Sequence, residues 1–203
     1  DKGNGTKISF GANFETHELG AQPIVKRNPS DFYSRSTDFN EYTEIDRNQQ
    51  FLTVENELGD SRFFSVTNRN DWSLSPNRLD LDLSAAPDQT SVILQDQTEW
   101  TQEFRIESEE DSDLSWVLGA FYSDSEIKGD ATRQFGFLTI TEQTIYTLDS
   151  QNFALFTSFS KDITDADYVS LGLRYDNFKK QIDRRKTSPL PPLLGTTDLL
   201  DET

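Results

Sequence analysis

The chain has no cysteine, no methionine and only one histidine, His17, in 203 residues. Without cysteine there are no disulfides and no thiolate-ligated zinc. A single histidine excludes a multi-histidine metal site. A Ser-His-Asp triad needs only one histidine, but no Gly-x-Ser-x-Gly elbow accompanies His17, which reads as a plain residue at a strand end. Basic residues are scarce, 19 against 36 acidic ones, for a net charge of -17. That balance argues against a nucleic-acid partner, because phosphate contacts need a basic face. No apolar run approaches the ~20 residues of a transmembrane helix. There is no initiator methionine and no signal-peptide pattern, so the chain is expected to begin inside a longer protein or after processing. Carboxylates are plentiful, but none forms a recognisable acid/base pair. Asp80-Leu81-Asp82 resembles the start of a calcium loop, yet the later ligands and the glycine of an EF-hand are missing. No catalytic residue, metal site or cofactor is expected.

Hydrophobic residues make up only 33%, while aromatics reach 12%, with 15 phenylalanines. This is a poor supply for one oily core but suits a barrel wall, which needs apolar residues on its outer face alone. The period-two pattern supports strands. In residues 7–16, Ile8, Phe10, Ala12 and Phe14 alternate with Lys7, Ser9, Gly11, Asn13 and Glu15. A strand at 49–57 sets Leu52 and Val54 against Thr53 and Glu55. One at 62–72 sets Phe64, Val66 and Trp72 against Ser65, Thr67 and Arg69. One at 99–108 sets Trp100, Phe104 and Ile106 against Thr101, Glu103, Arg105 and Glu107. At 114–123, Leu114, Trp116, Leu118, Ala120 and Tyr122 share a face, but Val117 and Phe121 make the other face apolar as well. At 151–160, Phe153, Leu155 and Phe159 share the strand with Ala154 and Phe156 opposite. At 168–178, Val169, Leu171, Leu173 and Tyr175 oppose Ser170, Gly172, Arg174 and Asp176.

Connection lengths alternate. Short turns near Gly59-Asp60, Asp111 and Thr164 alternate with polar stretches at 17–48, 73–98, 124–150 and from Lys179 onward, all read as loops. Such loops are unusual in compact soluble domains. Short periplasmic turns and long extracellular loops are the habit of outer-membrane barrels, whose strands cross the bilayer in ~9–11 tilted residues. The predicted fold class is all-β: about seven antiparallel strands of a larger transmembrane β-barrel, as one domain over 1–203. The acidic excess falls on the solvated loops.

Three segments resemble the barrel of TonB-dependent outer-membrane receptors: WTQEFRIES at 100–108, LSWVLGAFYSDSE at 114–126, and the pair FALFTSFSKDITD at 153–165 and YVSLGLRYDNFKK at 168–180. Their order follows the family: a Gln-Glu-x-Arg strand, a short turn, a Trp-x-x-Gly-x-aromatic-aromatic strand, and later a strand ending Gly-Leu-Arg-Tyr. The resemblance covers about residues 50–180. It implies a 22-stranded barrel in the bacterial outer membrane around an N-terminal plug, import of a ligand such as a ferric siderophore, and energy from the TonB complex acting through the plug. Plug, TonB-contacting box and closing C-terminal strand find no match in this chain. Partners implied are the siderophore or a similar small ligand, TonB and outer-membrane lipid.

Under this reading Glu103, Arg105 and Glu107 face the lumen, where they pair with the plug or simply line water. Arg27, Phe32, Tyr33 and Arg35 in the first loop and Arg133 and Phe135 in the third are candidate contacts to an anionic, ring-bearing ligand. The alternative for each is a solvated loop residue. Trp72, Trp100 and Trp116 are expected in the interfacial aromatic belts, with a ligand-stacking set as the alternative. The rival reading of the whole chain is a soluble β-sandwich or adhesin-type binding module.

Overall fold

A computed structural model describes residues 5–21, 36–109, 112, 114–164 and 167–189, and the backbone of 197–202. Eight strands form one antiparallel sheet in chain order: β1 (Thr6–Leu19), β2 (Tyr42–Glu57), β3 (Ser61–Asp80), β4 (Gln89–Ser108), β5 (Leu114–Phe135), β6 (Ile140–Asp162), β7 (Tyr168–Thr187) and β8 (Thr197–Glu202). There is no second sheet among the described residues, which removes the layer a β-sandwich requires. The fold class read from sequence holds, with one strand more than the seven expected; β8 lies in the tail that read as loop.

Strand length is the main correction. The polar stretches at 73–98 and 124–150 are mostly strand: β3 continues to Asp80, β4 begins at Gln89, β5 runs to Phe135 and β6 begins at Ile140. What joins β5 to β6 is one 3-10 turn, Gly136–Leu138, followed by Thr139 in the left-handed region. These extensions are polar on both faces, so hydrophobic alternation leaves no trace of them. Backbone pairing carries them instead: β5 and β6 stay in register from Leu114↔Lys161 to Phe135↔Ile140. The short turns at Gly59 and Thr164 are as read; the one expected at Asp111 lies outside the described residues. Gly59 takes a positive φ of 66°, and Thr164 Oγ1 and Asp167 Oδ2 close the β6–β7 turn at 3.0 Å. The register irregularity on β3 spans Leu74 to Asn77 and contains Pro76, which has no N–H to give the ladder.

The register sorts side chains into two faces. One row of paired residues runs Ile8, Val54, Ser65, Phe104, Ala120, Leu155, Tyr175. With the rows beside it, it makes an apolar band open to its surroundings: Phe10 is 70% exposed, Leu118 54% and Leu173 64%. The band is thinnest on β3, where Phe63 is followed by Ser65 and Thr67. Among the described residues the only fully covered hydrophobic side chain is Ala154. Among the described residues nothing covers the band.

The band also slides. On β1 it spans Ile8–Phe14 and on β7 Val169–Tyr175, and Ile8 shares a row with Tyr175, so it descends six residues over the six steps from β1 to β7. One residue of rise, ~3.3 Å, per ~4.8 Å step between strands corresponds to a tilt of about 35°. Strands of membrane barrels tilt by ~35–45°. Trp100 and Trp116 sit at the two edges of the band, and Trp100 packs against Tyr122 with ring centroids 5.8 Å apart. Trp100 pairs with Asp124, which is eight residues from Trp116 along β5. That is about 26 Å of strand path, or ~21 Å of height at a tilt of about 35°, of the same order as the ~25 Å apolar band of such barrels.

Candidate functional site on the polar face

The opposite face carries the charge. Its central row is Glu55, Phe64, Arg105, Gly119, Phe156, Arg174. Arg105 lies over the Phe64 ring at 4.7 Å and Arg174 over Phe156 at 5.7 Å. Phe156 in turn covers Gly119, where a Cβ would collide with the ring. The same pairing of glycine with a facing aromatic recurs at Gly11–Phe51 and Gly129–Tyr146. Directly opposed residues are closest in side-chain reach, so a ring fills the space a glycine leaves and pins the register. This explains the second apolar face that β5 and β6 present in sequence: Phe156 and Ala154 pack against β5, and the facing read for those strands is correct.

Beside this row, Arg62 Nη2 meets Glu107 Oε1 at 2.8 Å, Arg105 Nε meets Glu107 Oε2 at 3.3 Å, and Arg105 Nη1 lies 3.8 Å from Glu103. Arg174 bonds both oxygens of Asp176. Glu107 thus joins two guanidiniums, and Arg105 sits between carboxylates two residues to either side. The Nε of Arg62 is buried without a hydrogen-bond acceptor, and the buried Nε of Arg105 has only the 3.3 Å ion pair with Glu107, without hydrogen-bond geometry. The sheet itself leaves the first donor unsatisfied and the second poorly satisfied.

Toward the loop end, the polar face opens into a groove of about 380 Å³ lined by Glu15, Arg47, Gln49, Asn70, Trp72, Gln95 and Gln97. Tyr146 donates to Gln95 Oε1 at 2.8 Å and fixes one amide of the wall. An indole beside four amides and one pair of opposite charges is equipped to stack on a flat group and hydrogen-bond around it.

Glu103, Arg105 and Glu107 therefore lie together on the charged face. Arg133 and Phe135 are not with them. They stand at the far end of β5, where Gln89 pairs with Phe135; Glu103 pairs with Phe121, fourteen residues lower. That separation is about 46 Å of strand path. They are strand residues rather than loop residues, a consequence of the extended hairpin. Arg27, Phe32, Tyr33 and Arg35 lie outside the described residues. Trp72 is a further correction: with Phe64 and Val66 it shares the face of Glu103 and Arg105, so it belongs to the groove and not to an outer aromatic belt. Sequence reasoning also passed over Arg62, Phe156 and Arg174. The turn at Gly59 sets Glu57 opposite Arg62, but the pairing of Arg62 with Glu107 follows from the separate β3–β4 register, which no single strand reveals.

No family model and no curated protein sequence matches the chain. Among solved structures, the ferric yersiniabactin uptake receptor FyuA from Yersinia pestis matches with a TM-score of 0.72 at 13% sequence identity, over 91% of this chain and 29% of the receptor. The chain thus spans less than a third of the receptor it matches, and at that identity the likeness is one of fold: this sheet is built like part of the wall of an outer-membrane receptor barrel.

Proposed function

We propose that the chain forms part of the barrel of a TonB-dependent transporter in the bacterial outer membrane, importing a ferric siderophore or a ligand of similar chemistry. The observation that carries this reading is the two-faced sheet: an uncovered apolar band inclined by about 35° on one side, and charged rows that include an unsatisfied arginine donor on the other. Lipid covers the first and a plug domain meets the second. Arg62, Glu103, Arg105 and Glu107 are the plug-facing set, because a plug backbone carbonyl or carboxylate satisfies the idle Arg62 Nε and improves on the long contact of Arg105 Nε. The groove around Trp72 lies toward the outside of the cell and receives the ligand. The turns at Gly59 and Thr164 face the periplasm. The wall does no covalent chemistry. The fold likeness to a siderophore receptor supports the class of ligand, and the Trp72–Arg47 pairing suits an anionic molecule that carries rings.

The test is uptake. The intact protein, expressed in a strain lacking its own ferric siderophore receptors, is expected to restore accumulation of radioactive iron from at least one member of a siderophore panel, and to lose it when TonB is deleted. Protein present in the outer membrane with no TonB-dependent uptake from the panel contradicts the proposal.

A further inference from the structure

At the loop end of β2–β4 the fold completes what the sequence leaves incomplete. Asp80-Leu81-Asp82 is too short to be an EF-hand, but Asp38, remote in sequence, joins it. One carboxylate oxygen from each of Asp38, Asp80 and Asp82 lies within 4.8 Å of the others. The lead into β2 is held there by Arg78 of β3, which stacks on Phe39 at 4.4 Å and on Tyr42 at 5.6 Å and donates to the Asn40 carbonyl. Glu41 adds a second tie, accepting the Asp80 backbone N–H at 2.9 Å. On the other side, Asp82 Oδ2 accepts the Gln89 N–H at 2.7 Å and fastens the β3–β4 connection to the start of β4.

The second observation is the state of Asp80 itself. Its residue is 3% exposed. Oδ1 accepts the N–H groups of Asp82 and Leu83, but Oδ2 is buried with no hydrogen-bond partner. A buried carboxylate oxygen beside two further carboxylates is unfavourable unless a cation offsets it. Arg78, two residues away, is engaged with the Phe39 and Tyr42 rings and the Asn40 carbonyl instead.

We propose that Asp38, Asp80 and Asp82 bind one Ca²⁺, which clamps the lead into β2 against the β3–β4 connection. An all-oxygen set selects a hard cation rather than zinc or copper. Ca²⁺ accepts an irregular shell of oxygens at ~2.4 Å, as carboxylates from separate segments offer, whereas Mg²⁺ demands regular octahedral geometry at ~2.05 Å and keeps much of its water. The buried Asp80 anchors the ion and the exposed Asp38 leaves it a way in. The site is separate from the groove around Trp72 and does not depend on which ligand, if any, the barrel imports.

The intact membrane protein in detergent, stripped with chelator, is titrated with Ca²⁺ by calorimetry, with hydrogen exchange read at 38–42 and 81–88. One site is expected, with slowed exchange in both segments, no equivalent effect from Mg²⁺ at the same concentration, and affinity at least about tenfold weaker in both Asp38→Asn and Asp80→Asn. The exposed Asp38 variant keeps the test sound where the Asp80 variant misfolds. Folded wild-type protein without Ca²⁺ binding, or undiminished binding in Asp38→Asn, overturns the proposal.

Discussion

Leu155 and Phe156 are neighbours on β6 and have opposite surroundings. Leu155 is 48% exposed, in a row with Ala120 and Tyr175, and none of the described residues covers it. Phe156 is half-buried, pressed on the bare backbone of Gly119 and overlain by Arg174. The difference recurs along β4–β6. The apolar face gains little from the protein's own contacts, so its stabilisation must come from a second phase, which in a membrane is lipid. The polar face is ordered by particular contacts: ring on glycine, guanidinium on ring, two arginines on one carboxylate. One face asks only for apolar character and tolerates exchange of one large hydrophobe for another. The other asks for named partners and sets the register.

The comparison is broken most strongly by putting charge on the apolar face. Leu173→Arg in the intact barrel is expected to cost about 2–4 kcal/mol if it lies near the bilayer midplane. Gly172→Arg, one residue away on the polar face, is expected to cost far less, since a side chain there meets only the Thr157 carbonyl, 3.9 Å from its Cβ. Unfolding titrations in lipid measure both. Next in size is overpacking of the polar face. Gly119→Val drives a side chain into Phe156 and is expected to cost about 1–3 kcal/mol. Much of this should return in the Phe156→Ala background, a coupling that a double-mutant cycle reads directly. Equal penalties in the two backgrounds would mean that the ring does not sit on the glycine.

Glu107→Gln removes the carboxylate shared by Arg62 and Arg105. These side chains are partly solvated, so the expected loss is about 1 kcal/mol, smaller still at high salt. The smallest effect is expected at the loop end. Burial pushes Glu142 up, but hydrogen bonds from Ser188 and Lys186 outweigh it and hold its carboxyl below the ordinary value of 4.5. A carboxyl lowered in the folded state adds stability above its unfolded pKa, and that contribution fades as pH falls through the folded one. Amide exchange at 184–188 should therefore quicken on acidification below about pH 4.5, and Glu142→Gln should abolish that dependence.

How much of this could be read from sequence follows from the same contrast. Alternation found the strands wherever one face is apolar, because Leu171, Leu173 and Tyr175 differ plainly from Gly172 and Arg174. It failed above the band, where residues such as Glu126 to Gln134 are mostly polar and strand reads as loop. It also misjudged β3. There Phe64, Val66 and Trp72 outweigh Phe63 in number, yet the partners across the sheet put Ser65 and Thr67 in the apolar row. Pairing is a property of neighbouring strands, and composition of one strand does not reveal it. Of the candidate site, Glu103, Arg105 and Glu107 were legible because they alternate within one strand. Arg62, Trp72 and Arg174 join them only through register, and Asp38 joins Asp80 only through the fold.

The central claim is that one face of this sheet meets lipid and the other water, over a limited height. A nitroxide scan along β7, residues 168–187, in the intact protein reconstituted in bilayers tests it most directly. The expected result is a period-two oscillation in which labels at 169, 171, 173 and 175 collide with oxygen and those at 170, 172 and 174 with a water-soluble nickel chelate, the contrast vanishing beyond residue 177 as the strand leaves the membrane. Uniform access to the nickel chelate along the strand, with no alternation between 169 and 175, would contradict the account.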